Sequence, residues 1–144
     1  MGEPMASIRK EIHTRANADE VWAALRDVGA LHTRLVPGFV VDTVLDGDAR
    51  IVTFGNGMVV REPILEINDA TRRVAWAAVG GPVTHYNSSA QVFGNPDGSS
   101  TVVWLSDLLP NEAAPATEAM MTQGAAVMKA TLDRLTETTT APRA

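Results

Sequence analysis

Cysteine is absent from the 144 residues, so no disulfide can form, and the composition suits a reducing cytoplasm, where the chain is expected to work. Long apolar runs are missing as well. With no stretch of about 18 apolar residues, no membrane-spanning helix is expected. Met1–Ser7 lacks a basic region followed by an apolar run, so no secretory signal is expected. Basic residues are the minority, 12 against 17 acidic, for a net charge of −5. That speaks against a nucleic-acid partner, whose phosphates demand a basic face. Histidines number three, and His32 and His85 have no Asp, Glu or Cys at ligand spacing, so neither a metal nor another cofactor is expected. There is no GxSxG element. Gly55-Asn56-Gly57 lies between two strand patterns, without a following helix or Lys, and reads as a hairpin turn rather than a phosphate loop.

What is present is material for a core: 45% hydrophobic and 20% charged residues, in a length that predicts one domain over 1–144, with its core at about 8–136 and flexible ends. Ile8–Thr14 alternates as a first strand. Asn17, with Glu20 three residues on, has the pattern of a helix N-cap and capping box. Val21, Trp22, Leu25 and Val28 follow at helical spacing, and Gly29 stands where a C′ residue would. A second short helical turn is expected over Ala30–Leu35. Strand patterns then run over Phe39–Leu45, Ala49–Phe54, Met58–Ile67, Arg72–Val79, Thr84–Phe93 and Thr101–Leu109. Turn chemistry such as Asp46-Gly47-Asp48 and Asn95-Pro96-Asp97-Gly98 separates them, which predicts an antiparallel meander. Pro63 marks an edge or a bulge. A last helix over Ala113–Leu135 places Thr117, Met121, Gly124, Met128, Leu132 and Leu135 on one face. The expected fold is α+β: a curved antiparallel sheet of about seven strands wrapped around a long C-terminal helix, with two short helices after the first strand.

The chemistry concentrates where apolar strands carry polar residues. Glu62 alternates with Met58, Val60 and Ile64 on one face, and a buried carboxylate is costly unless it is paired or meets a ligand. It is either an anchor or general base with a raised pKa, or a structural carboxylate paired with an arginine such as Arg9 or Arg34. Arg61 faces the other way. Tyr86 and Ser88 share the register of Ala90 and Val92 and so point inward, where the Tyr86 hydroxyl could donate to a ligand or to Glu62. Trp76 and Trp104 are inward by the same alternation. Met58, Met121 and Met128 offer adaptable apolar surface. Gly124 either leaves room for a ligand or permits close packing against a bulky residue such as Trp76. Met58, Val60, Glu62, Trp76, Tyr86, Ser88, Trp104, Met121, Gly124 and Met128 are thus the expected ligand-binding set, with Glu62 and Tyr86 the candidate acid–base pair. The expected partner is a small hydrophobic or aromatic molecule, and the chain is expected to be a monomer or homodimer.

The element order, with Ala18-Asp19-Glu20-Val21-Trp22, Asp27-Val28-Gly29, Asn56-Gly57, Arg61-Glu62, Asp69, Arg72-Arg73, Tyr86, Trp104 and Leu109-Pro110, resembles the START-like (SRPBCC) superfamily with its Bet v 1-like helix-grip fold. The likeness is to its polyketide cyclase/dehydrase-like members and, more distantly, to plant abscisic-acid receptors. The resemblance implies a deep cavity between sheet and long helix for hydrophobic or amphipathic ligands. It implies pocket positions at Glu62, Tyr86 and Ser88. In the cyclase branch it implies polar and aromatic residues that orient a poly-keto chain. The chain departs from the family at Arg34-Leu35, where a Trp is usual, and it lacks the receptors' gate-loop sequence and pocket lysine. A carrier or sensor is therefore the leading expectation. A cyclase or dehydratase using Glu62 and Tyr86 is the alternative, and a protein-interaction module the third.

Overall fold

A computed structural model describes residues 5–140. Its elements are β1 (Ala6–Thr14), α1 (Ala18–Arg26), a 3₁₀ turn at Val28–Ala30 running into a π turn at Leu31–Leu35, β2 (Val40–Asp46), β3 (Ala49–Phe54), β4 (Val59–Asn68), β5 (Arg73–Ala77), β6 (His85–Gly94), β7 (Ser100–Leu109), a 3₁₀ turn at Asn111–Ala113, and α2 (Ala114–Thr140). The strands form one antiparallel sheet in the order β1-β7-β6-β5-β4-β3-β2. The six later strands meander, and β1 closes on the outer edge of β7.

Local chemistry sets the boundaries. At the start of α1, Asn17 Oδ1 accepts from the Glu20 amide at 2.9 Å, and Asn17 Nδ2 donates back to the Glu20 carboxylate at 2.7 Å. Gly29 is not a helix C′ residue. It lies in the 3₁₀ turn, and a Cβ there would sit 3.1 Å from Leu45, so its role is to admit that side chain. The fifth strand is shorter than Arg72–Val79. Arg72 adopts a left-handed φ of 52° in the preceding turn, and Val79 makes only an isolated bridge to Arg61. Pro63 is not on an edge, because β4 lies between β3 and β5. It falls in the interval between the Ile64–Trp76 pair and the Arg61–Val79 bridge, where no amide is required, and a bulge follows between Ile64 and Glu66. The last helix outruns its predicted end at Leu135 and reaches Thr140. Likewise, β1 begins at Ala6, ahead of the expected start at Ile8. The rest of the expected loose ends, residues 1–4 and 141–144, lie outside the described residues.

The core sits between α2 and the half of the sheet made by β1, β7 and β6. Ile8, Ile12, Val92, Val102 and Leu108 meet Met121, Met128 and Leu132, while Val21, Trp22 and Leu25 of α1 close one end. Trp22 is held by its Nε1, which donates to Asp69 at 2.8 Å, and Arg26 Nε reaches the same oxygen at 2.9 Å. Those two hydrogen bonds hold the Asp69 carboxyl below the usual range. Among the described residues no helix is long and apolar enough to cross a membrane.

Asp133 pins α2 to the end of β1. It accepts from the Thr14 hydroxyl at 2.7 Å, from the Arg15 amide at 3.1 Å and from Lys129 Nζ at 3.1 Å. Burial pushes its carboxyl up, but these three donors outweigh burial and hold it below the usual range. A depressed folded-state pKa contributes stability that is present above the unfolded value and is lost as pH falls through the folded one. Asp133→Ala should therefore cost about 1–2 kcal/mol at neutral pH. In thermal melts against pH, the gap from the parent should close on the acid side. A gap independent of pH would contradict this account.

Candidate functional site

One helix does not cover the whole sheet. Residues of β2 to β7, α1, the π turn, the β5–β6 loop and the first half of α2 enclose a cavity of about 400 Å³. Its walls are apolar: Leu25, Leu31, Leu35 and Val36 at one side, Phe39 and Phe54 stacked edge to face, and Trp76, Trp104, Ala90 and Val74 as the floor. Met120, Met121 and Met128 of α2 form the roof. Exposed lining residues (Gly80, Gly81, Pro82, Glu112 and Ala116) form a mouth between the β5–β6 loop and the start of α2.

Arg50, Glu62 and Tyr86 gather at one pole, while the other polar lining residues, Glu112 and Thr117, lie around the start of α2. Arg50 on β3 and Glu62 on β4 are directly paired across the ladder. Arg50 Nε donates to Glu62 Oε1 at 2.8 Å, with side-chain exposures of only 5% and 8%. The guanidinium also donates through Nη1 to the Val28 carbonyl at 3.3 Å and lies 5.1 Å from the centre of the Trp76 ring. Burial pushes the Glu62 carboxyl above its usual range, against the opposing pull of Arg50. This is the only hydrogen bond the Glu62 carboxylate makes among the described residues, which leaves Oε2 without one on a residue that lines the cavity. Tyr86 lines the same pole. Its Oη lies 3.0 Å from Ser106 Oγ, which lies 2.9 Å from Ser88 Oγ. Burial raises the Tyr86 phenol, the Ser106 hydrogen bond opposes, and the nearby Glu62 charge raises it further.

Of the expected ligand-binding set, the structure places Met58, Val60, Glu62, Trp76, Tyr86, Trp104, Met121 and Met128 on the cavity wall. Ser88 and Gly124 are not on it. Ser88 lies beneath the wall, accepting from Trp104 Nε1 at 2.9 Å and donating to the Leu105 carbonyl at 2.9 Å. Gly124 leaves no room for a ligand. A Cβ there would stand 3.0 Å from Phe39 and 3.1 Å from Trp104, so the glycine admits those two rings rather than Trp76. The arginine that meets Glu62 is Arg50. Arg34 instead pairs with Asp27, and Arg9 with Glu11. Arg50 was findable: it occupies the inward register of Val52 and Phe54, as Glu62 does that of Val60. The other lining residues outside the expected set include helix and strand positions such as Leu25, Phe54, Val74, Ala90 and Met120, and loop positions, notably Phe39 and Gly80–Val83. His32 and His85 lie on different elements, and among the described residues no group of three His, Asp or Glu side chains could hold a metal ion.

With this geometry in hand, the comparisons place the chain. The family described as polyketide cyclase/dehydrase and lipid transport matches residues 5–139, and the chain belongs to it. No curated protein matches the chain at a significant level. Among solved structures, the Bacillus cereus protein XoxI superposes with a TM-score of 0.81 at 20% identity, covering 92% of this chain and 99% of that one. A Thermobifida fusca protein does so at 0.74 and 26% identity, over 90% and 91%. Norcoclaurine synthase from Thalictrum flavum, solved with dopamine and hydroxybenzaldehyde, matches at 0.73 and 19% identity, over 96% and 90%. The fold is thus the Bet v 1-like helix grip.

Removing one partner of a buried pair leaves an uncompensated charge, whereas removing both need not. Arg50→Met should destabilise by about 3–5 kcal/mol, and Arg50→Met with Glu62→Leu by much less. The single variant's deficit should shrink as pH falls, because a carboxyl whose folded pKa is raised favours folding only while protonated. Denaturant unfolding at two pH values checks both statements. Additive losses in the double variant would show that the pair is not coupled.

Proposed function

We propose that the chain binds a small hydrophobic or aromatic molecule in this cavity, as a carrier or sensor, in the cytoplasm that its cysteine-free composition suits. The observation that carries the reading is an apolar cavity of about 400 Å³ with Arg50, Glu62 and Tyr86 together at one pole and its other polar lining residues, Glu112 and Thr117, around the start of α2. Apolar walls supply affinity without direction, and a few convergent polar groups set orientation. The family's description includes lipid transport, and the structurally similar norcoclaurine synthase was solved holding two small aromatic compounds. Both support a ligand of this class.

One observation favours a catalytic reading, cyclisation or dehydration of a poly-keto substrate: Glu62 is buried with a raised pKa, as a general base would be. Against it, Arg50 already engages one oxygen of that carboxylate, which suits an anchor better than a base. Native mass spectrometry with a library of aromatic and lipophilic compounds tests the two together. A compound retained at its own mass supports binding. One released at a new mass, with turnover lost in Glu62→Gln and retention kept, supports the enzyme.

The mouth gives a cleaner variant than the pole. Ala116→Trp is an exposed change and should leave stability within about 0.5 kcal/mol. It should weaken any cavity ligand by about tenfold or more, the loss of roughly 1.4 kcal/mol. Unchanged affinity would locate binding elsewhere.

A further inference from the structure

The hydroxyls behind Tyr86 form a chain with only one consistent direction. An indole N–H can only donate, and that of Trp104 donates to Ser88 Oγ; a carbonyl can only accept, and that of Leu105 lies 2.9 Å from the same oxygen. The single Ser88 proton therefore goes to Leu105. The 2.9 Å contact between the two serines then takes its hydrogen from Ser106, and the 3.0 Å contact between Ser106 and Tyr86 takes its hydrogen from Tyr86. Every other order leaves one of these contacts as two oxygens facing each other with no hydrogen between them. Ser88 and Ser106 are 4% and 0% exposed, so the chain is closed off from solvent. Turned the right way it is fully satisfied, as buried hydroxyls need to be.

We propose that Tyr86 meets the cavity as a hydrogen-bond acceptor, its own proton committed to Ser106, and that the site therefore selects lipophiles presenting a neutral hydroxyl (an alcohol, phenol or enol) rather than a carbonyl. The proposal rests on the ligand-binding reading above and narrows it. Glu62 Oε2 is a second acceptor at the same pole, with no hydrogen-bond partner among the described residues. Two acceptors, Tyr86 Oη and Glu62 Oε2, stand against the single guanidinium nitrogen without a hydrogen bond, Arg50 Nη2, so a ketone or carboxylate meets fewer partners here than a hydroxyl, which can also accept from Nη2. The buried Arg50 guanidinium opposes a ligand ammonium. A hydroxyl satisfies what is left, donating to one acceptor. The same proton order removes Tyr86 as the acid of the catalytic reading.

Three probes of one shape test this: 2-naphthol, 2-methoxynaphthalene and 2-naphthaldehyde, titrated by ligand-detected NMR. The naphthol should bind about 5–10-fold tighter than the other two, the worth of one hydrogen bond. Tyr86→Phe should lower naphthol affinity and leave the ether and aldehyde unchanged. Ser106→Ala, which frees the Tyr86 proton, should raise affinity for the aldehyde. Tighter binding of the aldehyde or ether by the parent protein, or loss of aldehyde affinity in Tyr86→Phe, would make Tyr86 a donor and overturn the proposal alone. Failure of all three probes to bind at millimolar concentration would overturn the ligand-binding reading with it. Should Ser106→Ala not fold, the Tyr86→Phe comparison decides.

Discussion

A seven-stranded sheet is about 29 Å across, at about 4.8 Å per strand spacing, and a single helix is about 10 Å wide. That mismatch governs this molecule. α2 is long enough, at about 40 Å for its 27 residues, to run the length of the sheet, but it covers only the β1, β7 and β6 side. There, Ile8, Ile12, Val92, Val102 and Leu108 pack with Met121, Met128 and Leu132, while Trp104, Ala90 and Tyr86 of β7 and β6 border the void. Over β2–β4 no helix lies close enough for that. The sheet curls and α1, the π turn and the β5–β6 loop reach inward, but their side chains do not meet. The cavity is the remainder of an incomplete packing problem, and its position at the helix's N-terminal half follows from where α2 begins.

A hollow core needs internal bracing. Trp104 cannot lean on a facing side chain across the void, so its Nε1 is tied to Ser88 and its ring edge is wedged by Gly124 of α2. Phe39, from the loop before β2, fills the other side of the same glycine and stacks on Phe54. Trp76 is held from behind by the Arg50 guanidinium. Each large wall residue thus has a fixed orientation independent of any ligand. Such a wall is pre-formed, and binding to it need not bear the cost of ordering those rings.

Periodicity made the direction of a side chain legible in the sequence but not its depth. Strand alternation put Glu62, Tyr86, Trp76 and Trp104 on the inward face, and hydrogen-bonding chemistry at Asn17 and Glu20 marked the start of α1. Alternation says which way a side chain points, not how far the opposite layer is. It therefore could not separate Ser88, covered by the Tyr86 and Trp104 rings, from Tyr86, which reaches the void. Helical spacing likewise leaves Gly124 open between a gap and a close contact, and it is a close contact, with Phe39 and Trp104. Arg50 escaped because an arginine in a β-hairpin usually lies on the solvated face. Its inward direction is a matter of register with Val52 and Phe54, and its neutralising partner sits twelve residues away on the next strand.

Pairing Arg50 with Glu62 has a consequence for what the pole can be. A buried carboxylate alone would take up a proton and become a donor; a buried arginine alone would demand an anion. Together they are close to neutral, yet they are not saturated. One carboxylate oxygen and one guanidinium nitrogen, Nη2, keep no hydrogen bond among the described residues. The serine chain adds a third group with a set direction, since the Trp104 indole at one end can only give a hydrogen and the Leu105 carbonyl can only take one. A tyrosine in an apolar pocket is usually ambivalent, able to give or accept as the ligand requires. Here two side chains and one carbonyl that never touch the cavity remove that freedom. On the proposed proton order, the direction of the Tyr86 hydroxyl is thus set in the layer behind the wall, by Ser88 and Ser106.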